Sequence, residues 1–213
     1  MIIQGTETLT SLIHIISESL LAPVVIILVI FLVYAILSLG GFINEWFTKK
    51  PLKSDGLESL LQNISKSNNP EELKSIVGSS GLYKEQKIIL EKIANNHNLG
   101  PDARKAFASK LIEEEESNLL KITAKTDILV RLGPIFGLLG TLIPLGPGLS
   151  ALGTGDITTL AQSLTIAFDT TVTGLTIGAI GYVISKYRKQ WYDSDLTTTE
   201  TVAEAILEKL GEF

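Results

Sequence analysis

The sequence predicts an all-α membrane protein: three transmembrane helices, a helical cytoplasmic domain, and a long helix that continues into the second span. Three observations predict it. Mean hydropathy is +0.32 and 45% of the 213 residues are apolar, a balance that soluble chains of this length rarely show. Three long runs lack Lys and Arg and are apolar enough to cross a bilayer. The cations are segregated. Residues 1–48 hold none, fourteen of the 18 fall between Lys49 and Arg131, and none falls between Leu132 and Ser185.

Span one is expected over residues 19–45, centred on LLAPVVIILVIFLVYAILSLGGFI. As a helix this stretch reaches about 36 Å, enough for about 30 Å of hydrocarbon with some tilt. A signal peptide would need a basic lead and a shorter apolar stretch, so an uncleaved anchor is expected. Span two is expected over 128–152 and span three over 157–185, joined by a short outer loop at 153–156. Basic residues collect on the cytoplasmic side of membranes. Lys49, Lys50 and Lys53 follow span one, Lys121, Lys125 and Arg131 precede span two, and Lys186, Arg188 and Lys189 follow span three. All three groups share one side only if the N-terminus is outside and the C-terminus is in the cytoplasm. A multi-pass protein of the cell membrane with that orientation is therefore expected.

Residues 1–18 place Leu9, Leu12, Ile13 and Ile16 at helical spacing, which suggests an amphipathic helix on the outer surface. A lead-in to span one accounts for the same pattern. Residues 46–127 form the soluble part. Ser54 or Asp55 can cap a helix carrying Leu57, Leu60, Leu61 and Ile64 on one face. Asn69-Pro70-Glu71-Glu72 reads as a second start, with Pro at the first helical position. A third helix is expected from Leu82 to Asn96. From Pro101 no breaker appears before Gly133-Pro134, so residues 101–132 read as one helix running into span two. Residues 186–213 are expected as a cytoplasmic C-terminal helix.

Several function classes recede. A net charge of −5 disfavours a nucleic-acid binder. The chain has no Cys, and its two histidines, His14 and His97, are far apart, so no metal site or cofactor is expected. No phosphate-binding loop, GxSxG or HExxH pattern is present, so the chain is not expected to be an enzyme. Glu113 to Glu116 reads as a solvated face.

Span three carries two unlike stripes. At 100° per residue, Thr158, Gln162, Thr165, Thr173 and Thr176 all lie within about 40° of Asp169. Near the opposite direction lie Ala167, Thr171, Gly174, Gly178, Gly181 and Ser185, a small-residue stripe that includes a GxxxG. A carboxylate at the depth of Asp169 costs roughly 2.5–3.5 kcal/mol unless neutralised, paired or facing water. In span two, Pro134, Gly137, Thr141, Pro144 and Gly148 share one face, suited to a narrow polar channel or to gripping a helix.

Leu132 to Thr141 (LGPIFGLLGT) resembles the signature of the MotA/TolQ/ExbB proton channel family, and Thr171 to Leu175 (TVTGL) resembles that family's stretch in the last span. Three spans with the N-terminus outside resemble the ExbB/TolQ branch. The resemblance implies a homo-oligomer, a pentamer, surrounding a single-span partner similar to ExbD or TolR whose membrane Asp takes up and releases protons. It places the family's pore threonines at Thr141 and Thr171, with Asp169, Thr165 and Thr173 as further candidates for the ion pathway. Gly137, Gly140, Gly174 and Gly178 are the candidates for helix packing. Near Ile166, where the branch carries a Glu, this chain is apolar, and Asp169 stands one turn away. Gly181 stands where the family often has Pro. Thr171 is expected toward the pore, and Asp169 toward a neighbouring subunit or toward span two. The function implied is an ion-driven membrane motor. The alternative is a non-conducting scaffold that binds a partner helix.

Overall fold

The computed structural model describes residues 4–49 and 52–211. Lys50 and the outermost residues of the first and last expected segments lie outside them. Seven helices occur among the described residues: α1 (Gln4–Ser19), α2 (Leu21–Thr48), α3 (Ser54–Lys66), α4 (Pro70–Ser79), α5 (Lys84–Asn95), α6 (Pro101–Gly153) and α7 (Ile157–Gly211). Helices α2, α6 and α7 are long and apolar enough to cross a membrane. The long helix expected from residue 101 into span two is present as α6. It passes through Pro134, Pro144 and Pro147 without a break. Span three and the C-terminal segment are likewise a single helix, α7.

The chain divides into two compact units. One comprises Met1–Glu45 with Ala124–Lys186, the other Trp46–Thr123 with Tyr187–Phe213.

In the first unit, α2 is apolar all round. Val24, Leu28, Ala35 and Phe42 are buried at helical spacing, while Ile26, Val29, Ile30, Val33, Ile36 and Leu37 stay exposed. So much apolar surface without a protein neighbour suits lipid, where only an internally hydrogen-bonded helix is stable. The protein side of α2 joins a core of Val24, Leu28, Ala35, Leu129 and Ile177, flanked by Phe136, Ile143 and Ile180. Phe31 meets Phe136 edge-on, with ring centroids 5.8 Å apart. A single residue, Leu20, separates α1 from α2, and Leu9, Leu12, Ile13, Ile15 and Ile16 of α1 are all exposed.

The second unit has a water-soluble logic. Leu60 and Ile64 of α3, Leu73 and Val77 of α4, and Leu90 and Ile93 of α5 bury against Ala108 of α6 and Val202 and Ile206 of α7. The face expected on α3 is correct, but its cap is not. Lys53 occupies the N-cap without a side-chain bond, and Ser54 is already the first helical residue. The start at Asn69 is as expected. Its carboxamide accepts from the Glu72 N–H at 2.8 Å, and Glu72 accepts in return from the Asn68 N–H at 2.8 Å. Asn69→Ala is expected to cost about 1 kcal/mol of unit stability, read as a lowered urea midpoint.

Gln86 is buried and ties α5 to α7. Its amide donates to the Asp195 carbonyl at 2.8 Å and to the Thr199 hydroxyl at 3.1 Å. Lys49 pairs with Asp195 at 2.6 Å and lies 4.7 Å from the Tyr192 ring centroid, so its charge is held in an aromatic surround.

Glu115, half-buried, has its carboxyl raised above the usual range by burial and by the Glu85 charge, against a lowering bond from Asn118. Its neutral form is favoured in the fold, so that contribution is present at low pH and is lost as pH rises above about 4.5. Glu115→Gln should therefore flatten the fall in stability across that range. The check is thermal unfolding of both proteins from pH 4 to pH 7, with the Glu115→Gln advantage growing with pH.

Candidate functional site

The membrane parts of α6 and α7 meet in a close antiparallel seam. On α7 the buried positions are Ser163, Ala167, Thr170, Gly174, Ile177, Gly178, Gly181, Ile184 and Ser185. On α6 they are Thr126, Leu129, Gly133, Gly137, Gly140, Pro144 and Gly148. Both sets recur every three or four residues, the spacing of one helix face. The seam is close because its residues are small. A Cβ added at Gly174 would sit 2.5 Å from the Gly133 carbonyl oxygen and 2.7 Å from the Gly137 Cα. One at Gly140 would meet the Thr170 Cβ at 2.6 Å, and one at Gly178 the Pro134 Cγ at 2.9 Å. The four glycines expected to pack helices all lie in or beside this seam, joined by Gly133, Gly148 and Gly181.

The two stripes of span three are thereby separated. The small-residue stripe faces α6. The stripe through Thr158, Gln162, Thr165, Asp169 and Thr176 is turned away from α6, and all five of these residues are exposed. Asp169 is exposed and has no hydrogen bond or ion pair among the described residues, so it does not face span two. The side toward span two is filled by Thr170, whose hydroxyl donates to the Ile166 and Ala167 carbonyls at 2.9 and 3.0 Å.

The seam has two flanks. Helix α2 covers one of them, against Phe136 and Ile143 of α6 and Ile180 of α7. By helical phase Thr173 falls on that flank, with Asp169 further round. Thr141 and Thr171 fall on the other, each about 70° from the centre of the seam. Both are half-buried. Their neighbours Gly140 and Thr170 touch across the seam, so the two threonines also stand at one level. Each hydroxyl donates within its own helix, Thr141 to the Leu138 carbonyl at 2.6 Å and Thr171 to the Ala167 carbonyl at 2.9 Å. Their oxygens keep lone pairs free to accept from a neighbouring acid.

Sequence reasoning did not single out Thr170 and Ser163 as seam residues. The signal was present in the three-and-four spacing of small residues. It also did not bring Asp127 together with Ser185. Ser185 donates a hydrogen bond to the Asp127 carboxylate across 58 positions of sequence, joining α6 and α7. No local pattern announces that contact.

The family model described as the MotA/TolQ/ExbB proton channel family matches residues 54–201 of the chain. No curated protein matches it significantly.

Proposed function

The chain belongs to the MotA/TolQ/ExbB proton channel family, and from that premise we propose that it is the ExbB/TolQ-like ring subunit of its motor. The family and the three apolar helices make it a multi-pass membrane protein and a subunit of a proton-driven membrane motor. In the reading proposed, five copies surround a single-span partner of the ExbD/TolR kind, whose membrane carboxylic acid carries the proton. The basic flanks of the spans favour an N-terminus outside and a C-terminus in the cytoplasm, in the cell membrane.

One observation carries the reading. The flank of the α6–α7 seam that α2 leaves uncovered presents two hydroxyl oxygens at one level, Thr141 and Thr171. A partner's carboxylic acid can donate to such an oxygen when protonated and leave when it has lost the proton. No fixed charge on the wall would hold it. One proton crossing 100 mV yields about 2.3 kcal/mol, so useful work requires repeated small steps. A ring of identical weak contacts offers such steps to a turning partner. Asp169 and Thr165 lie on the far side of α7, where a neighbouring copy of the chain would cover them, and Thr173 lies on the α2 flank. Asp169 and Thr165 are assigned to contacts that hold the ring.

The scaffold reading keeps the same contacts and conducts nothing. Replacing both threonines, Thr141→Val with Thr171→Val, separates the two: the ring assembles in either case, and proton flux is lost only if the channel reading holds.

A further inference from the structure

A second polar pair lies on the same side of the seam. Asp127 stands fourteen residues before Thr141, and Ser185 stands fourteen residues after Thr171. At 3.6 residues per turn, fourteen residues fall about 40° short of four turns, so each lies toward its threonine's side of the seam, about 21 Å along it. The antiparallel register then brings the two new residues to one level, and their hydrogen bond shows that it does. That level is the end of the spans which the basic flanks assign to the cytoplasm. Asp127 is half-buried, while Ser185 is only 7% exposed. Tyr182 and Lys186 stand beside this end on α7, the lysine nitrogen 5.8 Å from the tyrosine ring centroid. Lys125 and Arg131, the nearest cations in sequence on α6, are exposed.

A half-buried carboxylate is costly unless hydrogen bonds, counter-charges or water meet it. Among the described residues Asp127 has one partner, the neutral Ser185 hydroxyl. Building on the channel reading above, we propose that Asp127, held by Ser185, is the cytoplasmic proton acceptor of the pathway. A proton released by the partner's carboxylic acid at the Thr141–Thr171 level passes through water along the flank and bonds to an Asp127 oxygen. The partner is left as carboxylate, and Asp127 becomes the neutral acid. Asp127 then gives the proton to cytoplasmic water and is a carboxylate again. Ser185 keeps the carboxyl aimed along the flank by donating to one oxygen and leaving the other free.

The test is proton flux driven by a pH gradient, in liposomes containing the whole complex purified with its single-span partner. Asp127→Asn keeps the shape and the bond from Ser185 but removes the titrating oxygen. Flux should fall about tenfold or more with the mass of the ring unchanged. Asp127→Glu restores a titrating group and should stay within about twofold of wild type. Ser185→Ala should give an intermediate loss. Unchanged flux in Asp127→Asn overturns the proposal, and so does an equal loss in Asp127→Asn and Asp127→Glu, which would mark a purely structural contact. If the Thr141→Val, Thr171→Val protein also conducts as wild type, the channel reading itself has failed. If that protein is silent and Asp127→Asn conducts, only the role of Asp127 is lost.

Discussion

Gly174→Leu is expected to separate span three from span two, at a cost of about 3 kcal/mol or more. Overpacking costs 1–3 kcal/mol where side chains can shift. Here the first added atom meets backbone at 2.5 and 2.7 Å, at Gly133 and Gly137, and backbone cannot rotate away. The helices must part along the seam, which loses the contacts at Gly140 and Gly178 as well. Because the chain has no cysteine, a single introduced one reports this cleanly. Ala167→Cys, at a position 6% exposed, should be labelled by a thiol reagent about 100-fold faster when Gly174→Leu is added. Gly146→Leu is the control, since nothing lies within 4 Å of a Cβ there. Equal labelling of the two proteins would refute the seam.

Thr141→Val with Thr171→Val is expected to reduce proton flux about a hundredfold or more while leaving the ring assembled. The separation of the two effects follows from the hydrogen bonds. Both hydroxyls donate to carbonyls of their own helix, Leu138 and Ala167. Bonds of this kind contribute little to helix stability, and valine has nearly the same shape. What disappears is the pair of acceptor oxygens on the uncovered flank. The measurement pairs flux in liposomes with the mass of the detergent-solubilised complex. Wild-type flux in the double variant would remove the threonines from the pathway, and a lost ring would make them packing residues.

Much of the fold was legible because its causes are local. Hydropathy over about twenty residues marks a span regardless of what packs on it, and Asn69-Pro70 starts α4 through its own side chain and ring. The prolines of span two do not stop the helix: α6 runs through Pro134, Pro144 and Pro147. A helix in a membrane tolerates the freed carbonyls when neighbouring groups or water meet them.

The candidate site was legible only in part. The glycines and small residues of spans two and three signalled a close helix pair, and the GLLGT and TVTGL stretches signalled the family. Which stripe of span three meets span two did not follow, since both were consistent with the same periodicity. The fold decides it through size: only the small-residue stripe lets the backbones approach to the spacing seen at Gly133, Gly137 and Gly174.

By itself, then, the sequence determined three spans, their helices and the two chemically distinct faces of span three, because each depends on residues near one another along the chain. The tertiary structure alone decided that Thr141 and Thr171 share an uncovered flank, that Asp169 and Thr173 lie away from it, and that Asp127 meets Ser185. Those depend on the register of two antiparallel helices and on where α2 lies against them. Register is set by contacts between residues dozens of positions apart, and no window along the sequence contains both partners.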